Sequence, residues 1–362
     1  MEGVVTAPDP GFWRGRRVLV TGHTGFKGAW LTLWLERLGA AVTAFALPPE
    51  PGPNLHDLAS IPNSCDGLIQ DLRDAAGVAA RVAEARPHIV LHLAAQALVR
   101  RSLDDPAGTF ATNVVGTMHL LNALRGADDL EAILVVTSDK VYANDGTGRP
   151  MREDDRLGGH DPYSASKAAC ELAVQSFAES FLAGTEIRLA TARAGNVIGG
   201  GDFAQDRIAP DCVRAALTGV PVVLRHPRAT RPWQHVLDCL CGYLLFAEHL
   251  VRAPEAAPRA LNFGPEPDDE IPVAVFAEAM LAALGAPGGV EVCEPEQSVE
   301  ARRLSLDSTL ARRVLGWRDR LVGRDAIAAS AAWYRDWRQG EDMRVATLAE
   351  IDCYQSGAAA GA

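Results

Sequence analysis

From Arg16 onward, short apolar runs rich in β-branched residues alternate with longer amphipathic stretches. The runs are RRVLV at 16–20, AAVTAFAL at 40–47, LIQD at 68–71, PHIVLHLAA at 87–95, LEAILVVTSD at 130–139 and EIRLATAR at 186–193. The intervening pattern predicts helices over 27–38, up to Ala85, over 113–124 and over 162–182. Near-continuous apolar strands suit a sheet covered on both faces, and regular alternation with helices joins such strands in parallel. The expected fold class is α/β, with a Rossmann-type doubly wound parallel sheet over 12–198. Beyond Gly199 the regularity fades into GGGD, VPVVLRHP, a helix after Pro232, a strand at ALNFG and helices over 273–284 and 308–315. These predict a smaller C-terminal substrate-binding lid domain, mainly 199–340, with the chain crossing between the two domains. Residues 341–362 are expected to be a C-terminal tail whose small, polar end QSGAAAGA frays. There is no internal repeat.

Composition narrows the function classes. With 362 residues, 48% of them hydrophobic, the chain can bury one large core or two moderate ones, which excludes disorder and fibres. A net charge of -11 without any Lys/Arg-rich run argues against nucleic acid as a partner. An anionic ligand must then be held by a few local arginines. Seven cysteines, at 65, 170, 212, 239, 241, 293 and 353, show no CxxC pair and no metal-like spacing with histidine. They read as reduced, mostly core thiols, with no metal. No apolar leader-like region and no run of about 18 apolar residues is present, so no membrane association and a cytoplasmic location are expected. Of the 35 basic residues, lysine occurs at Lys27, Lys140 and Lys167 alone, so each should sit where a compact ammonium or a tunable pKa is needed.

Thr21 to Gly28 reads TGHTGFKG, a GxxGxxG between an apolar strand and an amphipathic helix, the context a dinucleotide site requires. Gly22 permits the tight turn, Gly25 lets backbone approach a pyrophosphate, and Gly28 lets helix pack on strand. Thr24, Phe26 and Ala94 complete the expected cofactor contacts. The second strand ends AFALPPE, without the acid that usually binds the adenosine ribose and without an arginine for a 2′-phosphate. Asp71 is placed to accept from the adenine amino group, or else is a loop carboxylate or helix N-cap. Lys27 either contacts cofactor phosphate or decorates the helix start.

Asp161 to Lys167 reads DPYSASK, a YxxxK. One helical turn apart, the Lys167 ammonium can sit near the Tyr163 hydroxyl and favour its phenolate, which makes the tyrosine a base near neutrality. Both also belong to the expected cofactor site. Thr137-Ser138-Asp139-Lys140 closes the fifth strand, and the carboxyl ends of parallel strands are where doubly wound proteins bind ligands. His235 reads as a capping or packing residue. Of Arg100 and Arg101, one must face away from the crevice.

Together TGHTGFKG, HLAAQALVR, TSDKVY, DPYSASK, RAGNVIGGGD and RPWQHV resemble the extended short-chain dehydrogenase/reductase family, and within it the CDP-glucose 4,6-dehydratase branch, from Phe12 to about Trp317. The resemblance implies NAD as cofactor and a nucleotide sugar, foremost CDP-glucose, as substrate. It implies oxidation at C4 with Tyr163 as base, loss of water across C5 and C6, and return of the hydride to C6. Ser138 would hydrogen-bond the C4 oxygen, and Asp139, as a carboxylic acid, would protonate the departing C6 hydroxyl. The dTDP-glucose dehydratases carry Thr-Asp-Glu where this chain has Ser138, Asp139 and Lys140. Lys140 therefore stands where a glutamate would remove the C5 proton, which a lysine can do only when neutral. The alternative is a structural ion pair with Asp139. By the same resemblance Asn196, Arg231 and Arg303 hold the diphosphate, and Arg207 joins them as a substrate-binding candidate. A 4-epimerase, a dehydratase of another nucleotide sugar, or a silent NAD-binding protein are the competing readings. Members of the superfamily often dimerise through paired helices, so a homodimer through 109–124 and 163–182 is expected.

Overall fold

The computed structural model describes residues 6–144, 146–285, 289–293 and 305–357. Seven parallel strands form its main sheet: β1 (Arg17–Thr21), β2 (Ala41–Ala46), β3 (Asp66–Ile69), β4 (Ile89–His92), β5 (Ala132–Val136), β6 (Arg188–Ala194) and β7 (Ala260–Phe263). Their spatial order is β7-β6-β5-β4-β1-β2-β3. The central strands bury residues on both faces by strict alternation. Val18, Val20, Leu91 and Leu134 face one core, while Leu19, Val90, Ile133 and Val135 face the other. Full burial of each such side chain contributes roughly 2 kcal/mol, so the strand sequence fixes the register of the whole sheet.

Helix α1 (Phe26–Arg37) packs Trp30, Leu31, Leu33 and Trp34 against the first core. On the opposite face lie α2 (Ala75–Ala85), α3 (Thr117–Ala123) and α4 (Pro162–Phe177), which contribute Val78, Leu120, Cys170 and Val174. Asp74 caps α2 by accepting from the Gly77 amide, and Asp161 caps α4 by accepting from the Ser164 amide. A π-helical stretch, Ala111–Gly116, overlaps the start of the helix expected over 113–124. It turns Asn113 inward, where its amide nitrogen donates to the Gln96 carbonyl and to Ser166 Oγ. This buried bracket joins the end of β4 to the catalytic helix.

Within the second half the chain crosses back to the main sheet. Strand β7 lies within 199–340 yet joins the main sheet beside β6, and the helix Val236–Arg252 returns to the main core. The smaller layer consists of α5 (Ile208–Thr218), a parallel pair Val222–Leu224 with Val290–Val292, and the helix Val273–Ala283. Helix α6 (Val236–Arg252) precedes β7, and α7 (Val273–Ala283) packs on α5 and on α8 (Gly323–Gln339). The expected tail is instead largely a helix, α9 (Met343–Ser356), docked on α1. Trp34 Nε1 donates to Gln355 at 3.0 Å, and Arg37 and Asp352 pair at 2.7 Å, as do Glu36 and Arg344. Buried Met343, Thr347, Ile351 and Tyr354 recur at helical spacing, a signal the polar composition hid. The strand expected at LIQD begins at Asp66, and Gln70 and Asp71 lie beyond it. No helix among the described residues is long and apolar enough to cross a membrane. Cys170, Cys212, Cys239 and Cys241 are buried free thiols, and Cys293 is exposed.

Candidate active site

The glycine loop has the shape its spacing requires. Gly22 stands at φ +83°, and a Cβ there would lie 2.8 Å from the Ala94 amide nitrogen. Ala94 is fixed in turn by donating its amide to Thr21 Oγ1 at 3.1 Å. A Cβ on Gly28 would lie 2.0 Å from the Gly22 carbonyl oxygen, so helix and turn touch backbone to backbone. Gly25 differs. It is the N-cap of α1, a Cβ there would meet nothing nearer than the Gly22 carbonyl oxygen at 3.5 Å, and no side chain caps the helix. The open, uncapped helix N-terminus therefore fits a dinucleotide pyrophosphate, which such amides and the helix dipole attract. Thr24 Oγ1 donates to the carbonyl of Leu47, an exposed residue where a ribose-binding acid would usually stand. Asp71 accepts from the Arg73 amide and guanidinium, which hold its carboxyl below the ordinary value, while the N-cap role falls to Asp74. Phe26 packs beside Gly199, joining the loop to the GGGD segment.

Ser138, Asp139 and Lys140 leave the carboxyl end of β5 in a single 3-10 turn, Asp139–Val141. Ser138 Oγ accepts from the Lys140 amide at 3.2 Å and donates to Asp139 Oδ1 at 2.9 Å. Tyr163 lies on the first turn of α4, its amide donating to Ser102 Oγ at 3.1 Å. Ser138, Asp139, Tyr163 and Lys167 are all buried, whereas Lys140 is half-buried. No ion pair joins Lys140 to Asp139 among the described residues, which removes support for its purely structural role.

The expected Tyr163–Lys167 contact is not made. The Lys167 ammonium donates instead to the Val136 carbonyl at 3.1 Å, and burial, with Lys27 nearby, lowers its pKa to about 8. Burial pushes the Tyr163 phenol up to about 12; the polar Ser138 side chain and the charge of Arg207 oppose that rise, and Asp139 adds to it. The expected stabilisation of the phenolate by Lys167 is thus replaced by weaker help from Ser138 and Arg207. The physical reason is that the ammonium finds an orphan carbonyl at the strand end within reach.

Lys27 also lies elsewhere than either expectation. It is aimed across the crevice, donating to the Tyr243 hydroxyl at 3.3 Å, and burial holds it below its ordinary pKa. The charge of Asp139 acts on Lys27, and that of Lys27 acts on Lys167. Lys27 and Lys167 therefore lie close to one another, and Lys140 follows Asp139 in the turn at the end of β5. Arg207 pairs with Asp202 at 2.9 Å and faces Tyr163. Asn196 and Arg231 flank the site at the ends of its third wall: a Cβ on Gly195 would lie 3.2 Å from Asp139 Oδ2 and 3.1 Å from the Pro232 ring. Asn196 is tied to this wall by its carbonyl, which accepts from the Gln234 amide at 3.0 Å. Arg231 sits in a two-residue strand paired with Ile271–Pro272, and Arg303 lies outside the described residues. His235 caps α6 through its Nδ1, as expected. Arg100 pairs with Asp206 at 3.1 Å and Arg101 with Glu50, so the two do diverge.

A buried network holds the catalytic turn from below and was not foreseen. Glu171 accepts from Thr137, Thr191 and, through two nitrogens at 2.9 Å, Arg193. Arg193 also donates to the Tyr142 hydroxyl at 2.7 Å, and Tyr142 donates to Asn262 on β7. Tyr163, Lys167 and Glu171 follow at i, i+4 and i+8, so one face of α4 carries both the chemistry and its support. No His, Cys, Asp or Glu cluster among the described residues is able to hold a metal.

A glycine-cradled helix N-terminus on β1, with a buried tyrosine and lysine beside a Ser-Asp-Lys turn on β5, defines a dinucleotide-dependent enzyme of the doubly wound class. The profile of the NAD dependent epimerase/dehydratase family matches residues 18–264, and the chain belongs to that family, with NAD as its cofactor. A CDP-glucose 4,6-dehydratase of Salmonella typhimurium is 39% identical over 353 residues, covering 96% of this chain and 98% of the relative. Among solved structures, an epimerase of Methanothermobacter thermautotrophicus superposes with a TM-score of 0.78 at 25% identity, covering 91% of this chain and 95% of its own. A UDP-glucose 4-epimerase of Thermus thermophilus in complex with NAD gives 0.76 at 25% identity, covering 88% and 99%.

Proposed function

We propose that this chain is a hydro-lyase that converts CDP-glucose to CDP-4-keto-6-deoxyglucose. The observation that carries the reading is the Ser138-Asp139-Lys140 turn beside Tyr163: an acid and an amine stand at the hexose end of the crevice, where a 4-epimerase uses neither. Similarity to the Salmonella typhimurium enzyme supports the CDP-glucose assignment.

In this reading Tyr163, as phenolate, takes the C4 hydroxyl proton while Ser138 holds the C4 oxygen. NAD, when bound, accepts the C4 hydride and returns it to C6. The C4 ketone acidifies the C5 proton, which neutral Lys140 removes. Asp139 gives its proton to the C6 oxygen, which leaves as water, and Lys140 later returns its proton to C5. Lys27 and Arg207 supply the positive potential that steadies the anions of this sequence. Asn196, Arg231 and Arg303 hold the diphosphate. Two chains pair through the helices over 109–124 and 163–182, where Phe110, Val115, Leu172 and Phe181 leave apolar surface exposed. The location is cytoplasmic.

Incubation of the purified protein with NAD and a panel of nucleotide hexoses tests the reading. Mass spectrometry should show loss of water from CDP-glucose, with a 4-keto chromophore in base. Absence of water loss from every sugar in the panel would overturn it.

A further inference from the structure

His92 is a buried ring that the proposed chemistry leaves without a task. It ends β4 and meets Thr21 Oγ1 at 2.6 Å through Nδ1 and Thr117 Oγ1 at 2.9 Å through Nε2. The neighbours decide where its proton lies. Thr117 Oγ1 already donates its one hydrogen to the Asn113 carbonyl at 2.8 Å, so from the ring it can only accept. Nε2 therefore carries the hydrogen and Nδ1 is bare. Thr21 Oγ1 donates to Nδ1 and accepts from the Ala94 amide at 3.1 Å. From these two hydroxyls the path continues both ways. Ala94 walls the cofactor turn, its nitrogen lying 2.8 Å from where a Gly22 Cβ would stand. Asn113 accepts from the Gln96 amide at 2.8 Å and donates to Ser166 Oγ at 2.9 Å, which donates in turn to the Tyr163 carbonyl at 2.7 Å. Thr21, His92, Asn113, Thr117 and Ser166 are all buried. One directed chain of hydrogen bonds thus runs from the glycine turn to the residue that bears the base.

We propose that His92, held as the Nε2–H tautomer, is a positioning residue that fixes Tyr163 relative to the cofactor turn. This rests on the dehydratase reading. Hydride transfer from C4 needs sugar, base and cofactor aligned together, and a misplacement of about 1 Å costs about 100-fold in rate. The neutral ring suits the path because it offers one donor and one acceptor in opposite directions. In the other tautomer a bare Nε2 would face Thr117, whose hydrogen would have to leave the Asn113 carbonyl. An imidazolium would turn the Thr21 hydrogen away from its acceptor and set a second cation beside Lys167. Burial, with the charge of Lys167, brings the His92 pKa down to about 3, which keeps the ring neutral at ordinary pH. The links stand in series, so the loss of any one releases the whole path.

The test measures kcat with saturating NAD and CDP-glucose for wild type, Thr21→Val, Thr117→Val, their double variant, His92→Asn, His92→Gln and Thr117→Ser. Asparagine can replace only the Nδ1 acceptor and glutamine only the Nε2 donor, so each breaks one link. The series predicts a common loss of roughly 10- to 100-fold for the five link-breaking variants, with the double variant no slower than the singles. Independent structural damage would instead multiply in the double variant. Thr117→Ser keeps the hydroxyl and should hold wild-type kcat. Deuterium at C4 of the sugar should slow the link-breaking variants more than wild type, because hydride transfer becomes the limiting step. On wild type itself, 15N NMR of labelled histidine should show His92 with a protonated Nε2 and a bare Nδ1 down to about pH 5. Multiplied losses, undiminished kcat in either valine variant, or an unchanged isotope effect would overturn the proposal. So would a protonated Nδ1, a measurement that holds even where a variant fails to fold. A wild-type enzyme that dehydrates no sugar instead defeats the underlying reading.

Discussion

Gly25 and Gly28 stand three residues apart in the same loop, and alanine at each should have opposite effects. At Gly28 the new Cβ would lie 2.0 Å from the Gly22 carbonyl oxygen, 2.7 Å from its carbon and 2.9 Å from His23 Cα, all of them backbone. Ordinary contact needs more than 3 Å, so α1 or the turn must move by about 1 Å, and overpacking of this kind costs about 1–3 kcal/mol. At Gly25 the nearest atom to the Cβ is 3.5 Å away and φ is -82°, so alanine fits, and its cost as a poorer N-cap is about 1 kcal/mol or less. That methyl would, however, occupy the space in front of the first α1 amides. Displacing the pyrophosphate from one charge-assisted hydrogen bond is worth about 2 kcal/mol, or roughly 30-fold in Kd. Chemical denaturation without cofactor and a titration of NAD by protein fluorescence give the two quantities separately. Gly28→Ala should lower the unfolding midpoint, whereas Gly25→Ala should keep it and weaken NAD binding. Wild-type NAD affinity in Gly25→Ala would show that the pyrophosphate does not sit on the α1 N-terminus, and the placement of the cofactor would fail with it.

Other expectations follow from the same site. Lys140→Arg should abolish exchange of the C5 proton with deuterated solvent while leaving C4 oxidation measurable; exchange at the wild-type rate would remove Lys140 as the base. Glu171→Gln leaves Arg193 charged and buried without its partner, which should cost about 3 kcal/mol of stability by denaturant titration. A variant as stable as wild type would mean that the network does not brace the turn. Lys167 loses its proton near pH 8 in the folded chain and near 10.5 unfolded, so between those values the unfolded chain binds more protons and this group makes stability rise with pH. Over that window wild type should gain about 3 kcal/mol relative to Lys167→Met, and a flat difference in denaturation free energy would refute the burial of the ammonium. Leu172→Glu should shift the sedimenting species from dimer to monomer; an unchanged sedimentation coefficient would place the subunit contact elsewhere.

The central strands of the main sheet were legible because they obey a local rule. RRVLV, PHIVLHLAA and EIRLATAR are apolar on both faces, and burial on both faces is what the sheet gives them. The glycine spacing was equally readable, since only the absence of Cβ atoms allows Gly22 and Gly28 to touch. The destinations of long side chains were not. Lys27 bonds Tyr243, 216 residues away, and nothing local to TGHTGFKG specifies which partner the fold will bring. Lys167 satisfies a strand-end carbonyl rather than the tyrosine one turn before it, a competition decided by backbone geometry at β5. Glu171 could have been found, because it continues the Tyr163 and Lys167 face at the next i+4. Helix α9 was missed because four buried residues are scattered among polar ones, and burial depends on α1 being there to receive them.

That last contact also sets an order of events. The outer surface of α1, whose N-terminus receives the cofactor, is completed by Gln355, Asp352 and Arg344, which meet Trp34, Arg37 and Glu36 across more than 300 residues of chain. During synthesis, therefore, the nucleotide-binding helix leaves the ribosome long before the segment that covers its back. Until residue 356 has emerged, Trp34 lacks its indole partner and that flank of the helix is open to water or to a chaperone. Contacts of such sequence separation form late and slowly, so maturation of the cofactor site should be a post-translational step whose rate is set by docking of α9.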